Sequence, residues 1–224
     1  MKFKSAAIAA VAAALVACGG GTQDFVSDTH TLKPDDYDFV YVSDTSAMNR
    51  NSTHTATFKW DGAAGPVGTQ QHAVLAFVHG RNPAYINAVG EALFTHGVGV
   101  LVGEHGLGLE AWFQDDDYNA IVRTQATGGA TYVRSGNEAY VYSYITPADF
   151  TLSRDVVYTL YLTVIPEGHV TRVLGELWDE SGMLQHGTLH VMTAMHLGVV
   201  GRAVLARTPG ESGDSIQATY LGGK

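Results

Sequence analysis

Short runs rich in valine, isoleucine, threonine and aromatic residues follow one another along this chain, and clusters of glycine, asparagine, aspartate or proline separate them. "YDFVYV" (37–42), "TATFKW" (55–60), "HAVLAFV" (72–78) and "GLEAWF" (108–113) open the series. "YNAIVRT" (118–124), "EAYVYSYI" (138–145), "VVYTLYLTVI" (156–165) and "VTRVLGELW" (170–178) continue it. "GTLHVMTAM" (187–195), "LGVVGRAVLA" (197–206) and "DSIQATYL" (214–221) close it. Side chains that branch at Cβ or carry rings fit a pleated sheet better than a helix. The intervening "DGAAGPVG", "HGRNP", "TGG", "RSGN", "PEGH" and "DESG" supply the positive or preset φ that turns require. Ala88–Phe94 alone has the composition of a helical turn, and Gly90 weakens it. Eleven or more strands in about 185 residues, without a long helix, predict one all-β domain: an antiparallel two-sheet β-sandwich, or else a closed barrel.

A sandwich buries one face of each sheet, so its strands should alternate. In "LEAWFQ" Leu109, Ala111 and Phe113 share one face, and Glu110, Trp112 and Gln114 share the other. In "YVYSY" Tyr140, Tyr142 and Tyr144 form a stripe opposite Val141, Ser143 and Ile145.

The chain opens "MKFKSAAIAAVAAALVACGGG". Lys2 and Lys4 precede an apolar run of small residues, the layout of a secretory signal and too short for a spanning helix of about 20 residues. Leu15-Val16-Ala17-Cys18 resembles the bacterial lipobox, in which the cysteine is lipidated and becomes the mature N-terminus. That resemblance implies a signal peptide over 1–17, lipidation of Cys18 and a flexible tether over 18–36, with the β-sandwich over 37–224. Stable anchoring takes more than one acyl chain, which bacterial lipoproteins carry. Gly19, in place of an aspartate, favours the outer membrane of a bacterial envelope by the sorting rule of enteric bacteria. Cys18 is the single cysteine, so no disulfide braces the fold and core burial must hold it. The formal net charge is −9, and loss of Lys2 and Lys4 takes it to −11. No Lys/Arg cluster offsets it, which excludes nucleic acid as a partner.

"VVYTLYLTVIPEGHVTRVLGELWDESGML" reads as two long strands joined by a turn and closed by "DESG". "HLGVVGRAVLARTPGESGDSIQATYL" follows as a glycine-bearing strand, a loop and a final strand led by Asp214. Over 105–221 this order resembles the concanavalin A-like lectin/glucanase jelly roll, laminin-G-like domains included, with Gly198 and Gly201 on its glycine strand. The resemblance implies a terminal strand that pairs near the N-terminus. A second resemblance, to the barrel of transferrin-binding-protein-like lipoproteins, lacks repeated Gly-aromatic hairpins here.

Glycosidases on this jelly roll carry paired acids on one strand. Glu176 and Asp179 in "GELWDESG" have opposite strand parity, and Glu176 and Glu180 stand about 13 Å apart. Retaining and inverting hydrolysis need about 5–5.5 and 6.5–9.5 Å. Asp179 to Gly182 therefore reads as a turn, with Glu110 as an acid that another strand could supply. No Gly-x-Ser-x-Gly elbow, phosphate loop or His-Glu-x-x-His motif occurs. His186 and His190 lie too far apart on a strand to share a metal ion. Asp115–Asp117 offers hard oxygens for Ca²⁺ or a solvated hairpin turn. No cofactor is otherwise implied.

Aromatic rings with polar tips can stack on sugar faces while acids and amides hold hydroxyls. Trp112, Tyr140, Tyr142, Tyr144 and Trp178 are the candidate stacking residues, and Glu110 and Glu176 the hydrogen-bonding partners; the other reading places these rings in the core. The expectation is a lipid-anchored envelope protein that binds a glycan or another surface macromolecule without catalysis. Its alternatives are a polysaccharide hydrolase or lyase, and a structural or assembly lipoprotein that binds protein partners.

Overall fold

A computed structural model describes residues 28–34, 39–68, 71–81, 94–114, 125–129, 131–135, 138–145, 150–191, 200–207 and 214–224. Its strands are β1 (Thr29–Leu32), β2 (Phe39–Tyr41), β3 (Ser46–Ala47), β4 (Ser52–Trp60), β5 (Ala73–Arg81), β6 (Phe94–Gly103), β7 (Gly106–Gln114) and β8 (Gln125–Ala126). They continue as β9 (Thr131–Ser135), β10 (Glu138–Ile145), β11 (Tyr158–Glu167), β12 (Val170–Asp179), β13 (Gly182–Val191), β14 (Val200–Arg207) and β15 (Ile216–Gly223). A seven-stranded sheet runs β1-β15-β4-β11-β12-β13-β8, and an eight-stranded sheet runs β2-β14-β5-β6-β7-β10-β9 with β3 also on β14. All pairings are antiparallel, and the two sheets form the expected jelly-roll sandwich. The terminal strand pairs with the first, as the resemblance implied.

The seven-stranded sheet follows the alternation read from sequence. Tyr158, Leu160, Leu162 and Val164 of β11 enter the core, while Thr159, Tyr161 and Thr163 lie outward. Small inward residues let the sheets close. A Cβ at Gly187 would stand 2.8 Å from Leu109 Cδ1 and 2.9 Å from Ile145 Cδ1, so side chains of the eight-stranded sheet fill that space. One buried polar tie crosses the same gap, where the Leu107 N–H donates to Gln185 Oε1 at 2.6 Å.

The middle of the eight-stranded sheet is buried on both faces. Ala73, Leu75 and Phe77 of β5 join the main core, and Val74, Ala76 and Val78 join a second cluster on the opposite side. Continuous apolar runs are what a doubly buried strand needs. That is the physical content of "HAVLAFV", and of Ala203–Ala206 in β14, all fully buried.

Several boundaries differ from expectation. Thr29–Leu32 falls inside the stretch read as tether, yet it pairs with β15 and buries Leu32. Four residues beside a long polar segment carry too little periodicity to announce a strand. β13 begins at Gly182, because "GML" continues the hairpin out of the turn. That turn is built as read: Asp179 Oδ1 accepts from the Ser181 N–H at 2.7 Å and from its hydroxyl at 2.5 Å. Asp214, which leads the last strand, accepts from Arg154 Nε at 2.9 Å and Nη2 at 2.6 Å. Cys18, Ala88, Asp115–Asp117, the 118–124 run and Gly198 lie outside the described residues.

Candidate functional site

Strand register brings most of the predicted residues onto one surface, the outer face of the eight-stranded sheet. One row across it reads Tyr41, Val204, Ala76, Gly99, Glu110 and Tyr142. Side-chain volume falls to Ala76 and Gly99 in the middle and rises at both ends. Trp112 fills the dip. A Cβ at Gly99 would stand 2.8 Å from its Cη2, so the indole lies on the bare backbone of the neighbouring strand. Only 2 % of Trp112 is exposed, and it packs with Val74, Ala76, Val78, Leu101, Val204 and Ala206. It is a packing residue of this second cluster, not an open stacking surface.

The exposed part of the aromatic stripe lies beyond it. Tyr142 and Tyr144 are half-buried, with ring centroids 5.5 Å apart in an edge-to-face arrangement. Tyr144 also meets His105 edge-to-face at 5.4 Å and His72 at 6.1 Å. Tyr140 is paired in register with Trp112. At the other end of the row, the Arg202 guanidinium lies 5.4 Å from the centre of the Tyr41 ring.

Glu110 is the acid that register sets beside Tyr142, and Glu138 lies four positions from Tyr142 on the same strand. Directly across from Glu110 are Gly99 and Tyr142, and Gly108 and Trp112 flank it on its own strand. The diagonal positions are Gly97, Leu101, Tyr140 and Tyr144. No cation and no second acid occupies any of these positions. Glu110 is half-buried, and loss of solvation pushes its carboxyl up to about 7. The same environment acts in reverse on His72, where burial, with a smaller contribution from His105, holds the imidazole down at about 4.

Glu176 and Trp178 stand elsewhere, on the outer face of the seven-stranded sheet. Trp178 Nε1–H donates to Glu176 Oε2 at 2.8 Å, and its ring meets Tyr161 edge-to-face at 6.0 Å. All three are half-buried among threonines. The seven predicted residues therefore divide between two sheets: Glu110, Trp112, Tyr142 and Tyr144 on one outer face, with Tyr140 in register beside Trp112, and Glu176 and Trp178 on the other. Among the described residues no group of three or more His, Cys, Asp or Glu is placed to hold a metal ion.

Sequence reasoning did not find the buried pair His54 and Tyr220, whose Nδ1 and Oη are 2.9 Å apart. Both look like ordinary strand residues, and their meeting depends on the pairing of β4 with β15. The inward parity of His54 beside Ala56 and Phe58 was the one available signal.

No family model matches the sequence, and no curated protein does. Solved structures of similar fold are the potassium-bound carbohydrate recognition domain of Emp46p, at 12% identity over 86% of this chain and 87% of that one, TM-score 0.46. The seed lectin of Lotus tetragonolobus is similar at 8% identity over 88% and 93%, TM-score 0.44. Peanut lectin with a nine-residue peptide follows at 9% identity over 89% and 93%, TM-score 0.43.

Proposed function

We propose that the chain is a lipid-anchored protein of the bacterial envelope whose β-sandwich binds a glycan without catalysis. The observation that carries the reading is the grouping of Tyr142 and Tyr144 beside Glu110 on one face, with Trp112 beneath. Two half-exposed rings offer stacking surfaces, and an adjacent carboxyl can hold hydroxyls. The eight strand positions around Glu110 carry no second acid.

The test is a glycan array, with Tyr142→Ala and Tyr144→Ala as variants. Selective binding lost in both variants supports the reading; binding that survives both sinks it. Anchoring through Cys18 is tested separately. Cys18→Ala should move the protein out of the membrane fraction, and unchanged fractionation would remove the anchor from the proposal.

The second reading, a polysaccharide hydrolase or lyase, is favoured by one observation. A carboxyl raised to about 7 is suited to general acid work near neutral pH. Reducing ends released from a polysaccharide panel, and lost in Glu110→Gln, would select it over simple binding.

A further inference from the structure

The rings of the outer face close around one position, Glu110. Gly99 faces it from β6, and an added Cβ there would stand 2.8 Å from Trp112 Cη2, so the indole covers that side. Gly108 precedes it on the same face of β7. A Cβ at Gly108 would stand 3.0 Å from Tyr144 Cε1 and 2.8 Å from Leu101 Cδ1, so Tyr144 and Leu101 cover that side. Tyr142 faces it from β10, and Cβ atoms in such a pair stand about 4.5–5.5 Å apart. The Tyr142 and Tyr144 rings meet at 63°, which makes a corner rather than a flat platform.

No described group pairs with the carboxyl at the centre of these rings. Glu110 accepts no hydrogen bond and forms no ion pair among the described residues. It is also within reach of a ligand. The side chain is half-buried, and neither oxygen is sealed from solvent, unlike Ser52 Oγ, His54 Nε2 and Trp60 Nε1, which are enclosed without a partner. Loss of solvation raises the carboxyl to about 7, and a bound cation brings it back down.

A hydroxyl donated to this carboxyl would satisfy one oxygen and leave the charge crowded among apolar walls. An ammonium group does more. It pairs with the carboxylate through charge-assisted hydrogen bonds, and ring faces attract a cation within about 6 Å of their centroids. The eight strand positions around Glu110 hold no lysine or arginine to compete for the acid. The net charge of −9 draws cations toward the surface as a whole.

We infer that this face takes a ligand bearing a positively charged amino group, an amino sugar with its amine unacetylated, seated against the Glu110 carboxylate and the Tyr142 and Tyr144 rings. The inference rests on the reading of this face as a glycan site and adds the chemical class of the sugar.

The experiment is calorimetry of the purified chain with a glucosamine trimer, its N-acetylated counterpart and tetramethylammonium. The glucosamine trimer should bind at least about tenfold more tightly than the acetylated one, and Glu110→Gln should remove most of that difference. Circular dichroism checks that the variant keeps its fold. Tetramethylammonium is a cation at every pH, so its binding to the parent should strengthen as pH rises through 7 and stay level in Glu110→Gln. That comparison separates the carboxyl from the other titratable groups near it: His72, His105 and Glu104 beside Tyr144, Glu138, and the phenols of β10. Equal binding of the two trimers overturns the inference and leaves the glycan reading standing. So does a neutral glycan selected on the array while both amines fail at tens of millimolar. A preference for the amine that survives unchanged in Glu110→Gln also overturns it, because the carboxyl then has no part in the choice.

Discussion

The indole of Trp112 rests on Gly99 of the adjacent strand, where an added Cβ would stand 2.8 Å from Cη2 and 3.0 Å from Cζ3. Both contacts involve a buried, rigid ring, so the neighbour has little room to give. Gly99→Ala should therefore destabilise the domain by about 1–3 kcal/mol through overpacking. Urea unfolding measures the loss, and a shift in tryptophan emission reports the displaced ring. Unchanged stability and emission would mean that the ring does not rest there.

Two tryptophans named together from sequence should separate by experiment. Trp112 is 2 % exposed inside the second cluster, so Trp112→Ala should cost about 3–5 kcal/mol. Trp178 is half-buried on a polar face, and Trp178→Ala should cost about 1 kcal/mol, chiefly the hydrogen bond to Glu176. Loss of glycan binding in Trp112→Ala would thus report folding, and Tyr142→Ala is the cleaner probe of the face.

Glu110 makes stability fall with pH over a defined window. Its folded carboxyl is raised from the ordinary 4.5 to about 7, so between these values the native state binds more protons than the unfolded state. This contribution is fully present below pH 4.5 and is lost as pH rises through 7. Glu110→Gln lacks the loss. The stability of the variant relative to the parent should rise by up to about 3 kcal/mol between pH 4.5 and 7 and then level off. Chemical denaturation at several pH values checks it, and a flat difference would place the carboxyl in water.

His54 and His72 act on stability with the opposite sign. Both are held at about 4 by burial, below the ordinary 6.5, so the unfolded state binds more protons in that window. Their contribution is present above pH 6.5 and is lost as pH falls through 4. Imidazole NMR signals of both residues should titrate near pH 4. Midpoints near 6.5 would mean that neither ring is buried as described.

The sheets were legible where one face meets water. "YTLYLTVI" and "VTRVLGELW" alternate cleanly, and both became the strands expected. "DESG" was legible as a turn because Asp179 and Ser181 bond locally. β1 was not, since four residues gain their order from β15 rather than from one another. Nor was the burial of Trp112: parity placed it opposite Leu109 and Ala111, and correctly so, but parity alone does not tell an open face from a second core.

The sequence by itself determined the class of fold and the strand parity that Tyr142 and Tyr144 share. These follow from local chemistry, the strand period and the turn residues. Tertiary structure alone decided which strands became neighbours. It set Glu110 beside Gly99 and Tyr142, moved Glu176 and Trp178 to the other sheet, and joined His54 to Tyr220. Partners 166 residues apart, as His54 and Tyr220 are, leave no mark in any local pattern. Register between strands is fixed by the packing of the whole sandwich.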